Sequence, residues 1–141
     1  MNVQQAVPFL RVADIDASVR FYVDGLGFEM TKKWTPEGKL QWCWLQRGDA
    51  AMMLQEFAKN GRHAGRPASA LGLGVSICFI CEDALAIYRD VTGRSIEASE
   101  PFVSNGMWYF AVKDPDGYVV EFESATDVAE ETRLSEASAS R

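Results

Sequence analysis

The spacing of apolar residues changes several times along the chain, and each change marks an element. Residues 5–12 (QAVPFLRV) form an extended apolar stretch, followed by Asp14 and Asp16 as helix-cap candidates. Val19, Phe21, Tyr22 and Leu26 then recur at helical spacing until Gly25 and Gly27 stop the helix. FEMTKKW at 28–34 reads as a strand, and TPEGK as a turn. LQWCWLQ at 40–46 and AAMMLQEF at 50–57 read as two strands around the turn Arg47-Gly48-Asp49. After a loop at 58–73 rich in Gly, Arg and Pro, the order returns. GVSICFI is a strand, Glu82-Asp83 opens the helix ALAIYRDV, and Gly93 closes it. SIEAS at 95–99 is a short strand, and MWYFAVK and YVVEFES flank the turn Asp114-Pro115-Asp116-Gly117.

The two halves superimpose as sequence. Tyr22, Asp24 and Gly27 fall on Tyr88, Asp90 and Gly93 at a spacing of 66. The same spacing carries Trp42 and Trp44 onto Trp108 and Phe110, and Gln55 onto Glu121. The opening strands match at 68, Val7 with Val75 and Val12 with Ile80. The pattern predicts a single α+β domain over 1–141: a βαβββ module at 5–57, the loop 58–73, a second module at 74–124, and a polar tail at 125–141. Each module has one helix to cover one face of its sheet. Two modules together form a curled mixed sheet, with the helices on the convex side and a concave pocket on the other. The tail is expected to form a short helix and to cover an edge or touch a partner subunit.

Charge and cysteine content narrow the partners. Fourteen Lys and Arg against twenty Asp and Glu give −6, with no basic stripe for a phosphate backbone, so nucleic acid is not expected. No apolar run reaches the roughly 18 residues that span a bilayer, and no secretory signal is visible, so a cytoplasmic location is expected. Cys43, Cys78 and Cys81 are an odd count, expected as reduced thiols. Cys78 and Cys81 match C-x-x-C, but on a strand they face opposite sides, and core packing is the expectation for both.

VPFLRVADIDASVRFYVDGLGF at 7–28 and DPDGYVVEF at 114–122 resemble the vicinal oxygen chelate superfamily, which includes glyoxalases, dioxygenases and bleomycin-resistance proteins. The resemblance runs over about residues 5–124. It implies that metal-using members place ligands on the first and fourth strands of each module. Carried onto this chain, those positions are Val7, Gln55, Val75 and Glu121, and neither valine can bind a metal. His63, the only histidine, lies in the loop beside Arg62 and Arg66. No metal, cofactor or catalytic residue is therefore assigned.

Similarity is greater to the bleomycin-resistance-like members, which sequester a cationic aromatic antibiotic without metal and imply a homodimer. The candidate ligand-binding residues are Phe9, Trp44, Met53, Gln55, Trp108, Tyr109 and Glu121: four flat rings with a thioether, an amide and one carboxylate. The alternative is a lyase, isomerase or dioxygenase with an unorthodox or absent metal site, in which Glu121 serves as general base. Glu121 also has a structural reading, as the partner of Arg11. The side faced by Trp108 and Phe110 depends on the turn before Tyr118. A two-residue turn puts Phe110 opposite Glu121 on the concave face. A three-residue Pro-Asp-Gly turn puts Ala111 there, with Tyr109 beside it and Trp108 in the core.

Overall fold

Asp14 starts the first helix as the sequence requires. Its backbone is extended (φ −138°), and its side chain accepts the N–H groups of Asp16 and Ala17 at 3.1 and 3.2 Å, a cap worth about 1 kcal/mol. The structure, a computed structural model, describes residues 2–59, 65 and 71–139. The chain divides into two compact units, Met1–Leu71 and Gly72–Arg141.

The first unit holds β1 (Phe9–Val12), α1 (Ile15–Val19), β2 (Glu29–Trp34), β3 (Trp42–Arg47) and β4 (Ala50–Glu56). Its sheet order is β1-β4-β3-β2, with β1 and β4 parallel and the other pairs antiparallel. The α-helix is shorter than the sequence predicts, because Arg20–Gly25 continues it as a π-helical turn. Leu26 N–H donates to the Phe21 carbonyl at 2.9 Å, five residues back. Both Tyr22 and Leu26 are fully buried. On the sheet, Leu10, Val12, Cys43, Leu45, Met52 and Leu54 alternate inward into the same core. Their neighbours in sequence point to the other face.

The second unit holds β5 (Ser76–Ile80), α2 (Ala84–Gly93), β6 (Phe102–Ser104), β7 (Met107–Lys113), β8 (Val119–Ala125) and α3 (Leu134–Ala139). Its order, β5-β8-β7-β6, repeats that of the first unit. The predicted strand at 95–99 is a correction. Only Ala98 bridges β7, at Val112, and the strand proper begins at Phe102, beyond Pro101, which has no N–H to give a ladder. Tail residues cover the β6 edge. Val103 N–H donates to the Thr132 carbonyl and Glu131 N–H to the Val103 carbonyl, both at 2.9 Å. Val128, Leu134 and Ala137 pack against Ala84, Val103 and Trp108.

The hairpins of the two units differ, and this difference corrects the spacing of 66. Arg47 pairs with Ala50, so Gly48 and Asp49 alone turn the first hairpin. In the second hairpin, Asp114 N–H donates to the Tyr118 carbonyl at 2.9 Å, leaving the three-residue turn Pro115-Asp116-Gly117 with Gly117 at φ +92°. The N–H groups of Ile15 and Ala84, the first residues of α1 and α2, are accepted by Glu56 Oε2 and Ser124 Oγ respectively. These anchors make Glu56 equivalent to Ser124, hence Gln55 to Glu123 and Met53 to Glu121. The pairs Cys43–Leu54 and Phe110–Phe122 then correspond, which makes Trp42 equivalent to Tyr109. Caps Asp14 and Asp83 likewise make Val7 equivalent to Ser76 and Phe9 to Cys78, displacing the match of Val12 with Ile80. Val12 is fully buried and Ile80 is 69% exposed.

Asp114 holds the second turn. It is buried, and its Oδ1 accepts the N–H groups of Asp116 and Tyr118, both at 2.9 Å. Asp114→Ala removes both bonds and is expected to cost about 2–3 kcal/mol, read as a lower urea midpoint at unchanged slope. Asp114→Asn keeps an acceptor and should retain most of that stability.

Cys43 makes the core sensitive to alkali. Burial pushes its thiol from 9.0 up to about 11, with a backbone hydrogen bond at Leu54 opposing. Between those pH values the unfolded thiol loses its proton while the folded one keeps it. This contribution to stability is therefore complete below pH 9 and is lost as pH rises, by up to about 1.4 kcal/mol per pH unit. Unfolding curves from pH 8 to 11 should fall more steeply for the wild type than for Cys43→Ala.

Candidate functional site

The face of the first sheet opposite α1 carries two rows of side chains running across the strands. One row is Lys32, Trp44, Met53 and Phe9; the next is Trp34, Trp42, Gln55 and Arg11. Four predicted residues, Phe9, Trp44, Met53 and Gln55, thus share one open face. Two cations of the chain already lie over its rings. The Arg11 guanidinium carbon is 4.3 Å from the centre of Phe9, and Lys32 Nζ is 4.9 Å from that of Trp44. Trp44 Nε1 donates to Gln46 Oε1 at 2.8 Å, which fixes the indole. Beyond the Trp34–Gln55 end of the rows lies a groove of about 490 Å³, lined also by Lys39, Gln41, Glu56 and Phe57. Its wall is pinned by Lys39 Nζ donating to Glu56 Oε1 at 2.9 Å.

On the second sheet the open face carries Cys78, Glu121 and Ala111 in one row, and Ile80, Glu123, Tyr109 and Phe102 in the next. Phe102 and Tyr109 meet edge to face, with ring centres 5.9 Å apart. Predicted residues Tyr109 and Glu121 are therefore together on this face. Trp108 is not. The three-residue turn sets the phase of β7 so that Ala111 opposes Glu121, and Trp108 lies in the core with Phe110. Trp108 is corrected from a ligand contact to a packing residue. Cys78 is a correction in the other direction: expected in the core, it is exposed on the open face beside Glu121. Cys81 does face the core side, packing against the Trp108 cluster. Arg62, His63 and Arg66 lie outside the described residues.

Sequence reasoning did not single out Lys32, Cys78 or Glu123 for these faces. A signal existed for Glu123, which stands two residues from Glu121 and so shares its face. For Cys78 it was the cap alignment of Asp14 with Asp83, which makes Cys78 the counterpart of Phe9.

Each unit is thus a βαβββ module with a helix over one sheet face and functional groups displayed on the other. The same strand order and helix placement occur in both units. The chain belongs to the Glyoxalase/Bleomycin resistance protein/Dioxygenase superfamily, whose profile matches residues 3–122. Among solved structures it is similar to the bleomycin resistance determinant encoded on the transposon Tn5, at 24% identity and a TM-score of 0.68 over 89% of this chain and 100% of that one. It is also similar to TnmS3, an antibiotic binding protein from Streptomyces sp. CB03234, at 17% identity and a TM-score of 0.65 over 89% and 99%. A glyoxalase family protein from Bacillus anthracis matches at 18% identity and a TM-score of 0.65 over 89% and 99%. At these identities the likeness establishes the fold. No curated protein matches the chain.

The metal that some superfamily members use does not fit the positions available here. Val7 and Val75 are hydrocarbon, and Val75 is largely exposed ahead of β5. The structural equivalences replace Val75 by Ser76 and Gln55 by Met53, which leaves Glu121 as the only strong ligand in the set. A metal site needs about three protein donors, and these four positions do not supply them.

Proposed function

We propose that the protein binds and sequesters a small organic compound with flat, cationic ring systems, without a catalytic metal at the superfamily positions. The observation that carries this reading is the pair of rows on the first sheet, where Phe9, Trp34, Trp42, Trp44 and Met53 offer stacking surface on rigid strands. Lys32 and Arg11 resting on rings of that face support the cationic choice, because they show ring faces oriented to receive positive charge. The groove of about 490 Å³ at its end is of the size that takes a drug-like molecule. The carboxylates Glu121 and Glu123 and the net charge of −6 act in the same sense. That structural neighbours include an antibiotic binding protein and a bleomycin resistance determinant agrees with antibiotic sequestration.

The reading extends to a homodimer in the cytoplasm. Support comes from the exposed edge strand β2 and from Cys43, Cys78 and Cys81, none of which forms a disulfide among the described residues. No helix among the described residues is long and apolar enough to cross a membrane.

The experiment is a tryptophan-fluorescence titration against cationic aromatic antibiotics, with recovery of the unmodified compound afterwards. Saturable quenching with the compound returned intact supports sequestration. Chemical conversion of the compound would replace it with the enzymatic reading, and no quenching by any cationic aromatic would overturn it.

A further inference from the structure

Beyond that reading, the second unit carries donors of a different kind. Cys78 stands on β5 opposite Glu121 of β8, and Glu123 follows two residues on, all three on the open face. The Cys78 sulfur and one oxygen of each carboxylate lie within 4.8 Å of one another. β5 and β8 are hydrogen-bonded neighbours, so strand pairing and not a mobile loop sets the spacing. Among the described residues neither carboxylate has a basic side chain within ion-pair distance.

We propose that Cys78, Glu121 and Glu123 form a binding site for a soft or borderline divalent cation, Zn²⁺ being the physiological candidate. A thiolate with two carboxylates selects against Mg²⁺ and Ca²⁺, which prefer all-oxygen shells. Zinc takes sulfur at about 2.3 Å and carboxylate oxygen at about 2.0–2.2 Å. The donors start within 4.8 Å of one another on side chains with rotatable bonds, so the proposed site requires side-chain adjustment only, on strands whose pairing is fixed. Three protein donors leave a fourth position for water or a ligand atom. The site shares Glu121 with the superfamily's metal set and differs in the rest: it lies within one unit, and Cys78 and Glu123 occupy none of that set's positions.

The electrostatics agree. An ordinary thiol is protonated at neutral pH, so the metal-free Cys78 sulfur carries a proton that metal binding must displace. Binding forms the metal–sulfur bond, and that proton passes to the buffer. The same two carboxylates that disfavour a bare thiolate favour a dication beside it.

The test uses the full chain, titrated with Zn²⁺ by calorimetry in two buffers of different ionisation enthalpy. A parallel titration with Cd²⁺ is followed by sulfur-to-metal charge-transfer absorption. One ion per chain, one proton released and a saturable charge-transfer band are expected. Cys78→Ser should abolish the band, and Glu123→Gln should weaken binding at least tenfold, both with unchanged circular dichroism. Cys81→Ser should leave the band in place, and Trp44→Ala should leave metal binding unaltered, which separates this site from the organic-ligand face. No band with the wild type, or a band that survives Cys78→Ser, overturns the proposal.

Discussion

Trp108→Ala should be the most destabilising single substitution in the second unit, lowering stability by about 3–5 kcal/mol. Trp108 is only 6% exposed and packs with Ala84 and Val103. Cys81, Leu85, Val128, Leu134 and Ala137 close around that cluster, so one indole joins β7, β6, α2 and the tail. Its loss leaves a cavity that these elements cannot fill together, because β6 and the tail are hydrogen-bonded to each other. Thermal melting should fall by roughly 10–20 °C. Leu134→Ala, at the partly buried end of the same cluster, should lose less, about 1–2 kcal/mol. The blue-shifted part of the tryptophan emission should vanish in Trp108→Ala, since the other three tryptophans are exposed or half-buried. Were Trp108 a ligand contact on the open face, the melt would barely move and quenching by ligand would be lost instead.

That result would also measure what the sequence could and could not convey. Strand and helix positions were legible because β3, β4, β7 and β8 are short, largely apolar runs bounded by turn residues, and because Asp14 and Asp83 cap where caps were expected. The phase of β7 was legible only as two alternatives. A side chain changes face with every residue, so one extra residue in a turn reverses the strand, and only the bonded geometry of Asp114 and Tyr118 decides between them. A spacing of 66 paired Trp42 with Trp108 because both are tryptophans, yet one faces outward and the other lies in the core. Identity outweighed phase in that match, and the cap and anchor residues correct it. β6 was missed because a three-residue strand after Pro101 has too little length to show a period. Its partner in the tail is some thirty residues away, which no local pattern records.

On the first sheet, Trp44→Ala should weaken binding of a cationic aromatic compound about tenfold, or 1.4 kcal/mol. That is the scale of one stacking contact with some cation–π attraction. Trp44 lies between Lys32 and Met53 in its row and is only half-buried, so the same change should cost far less stability than Trp108→Ala. Lys32 gives the sharper test. Its ammonium is 4.9 Å from the Trp44 ring, so a cationic ligand stacking there must displace it. An exposed cation–π contact is worth about 0.5–1 kcal/mol, and Lys32 stands on the exposed edge strand β2, free to swing into water. Lys32→Ala should therefore bind cationic aromatics two- to fivefold more tightly, because it removes both the competitor and a like charge. An anionic aromatic should bind the same variant more weakly than the wild type. If Lys32→Ala left cationic compounds unchanged and sharply weakened anionic ones, the ring faces would not be receiving the ligand's charge. The preferred compound would then be a neutral or acidic aromatic, held by stacking and by Lys32 itself.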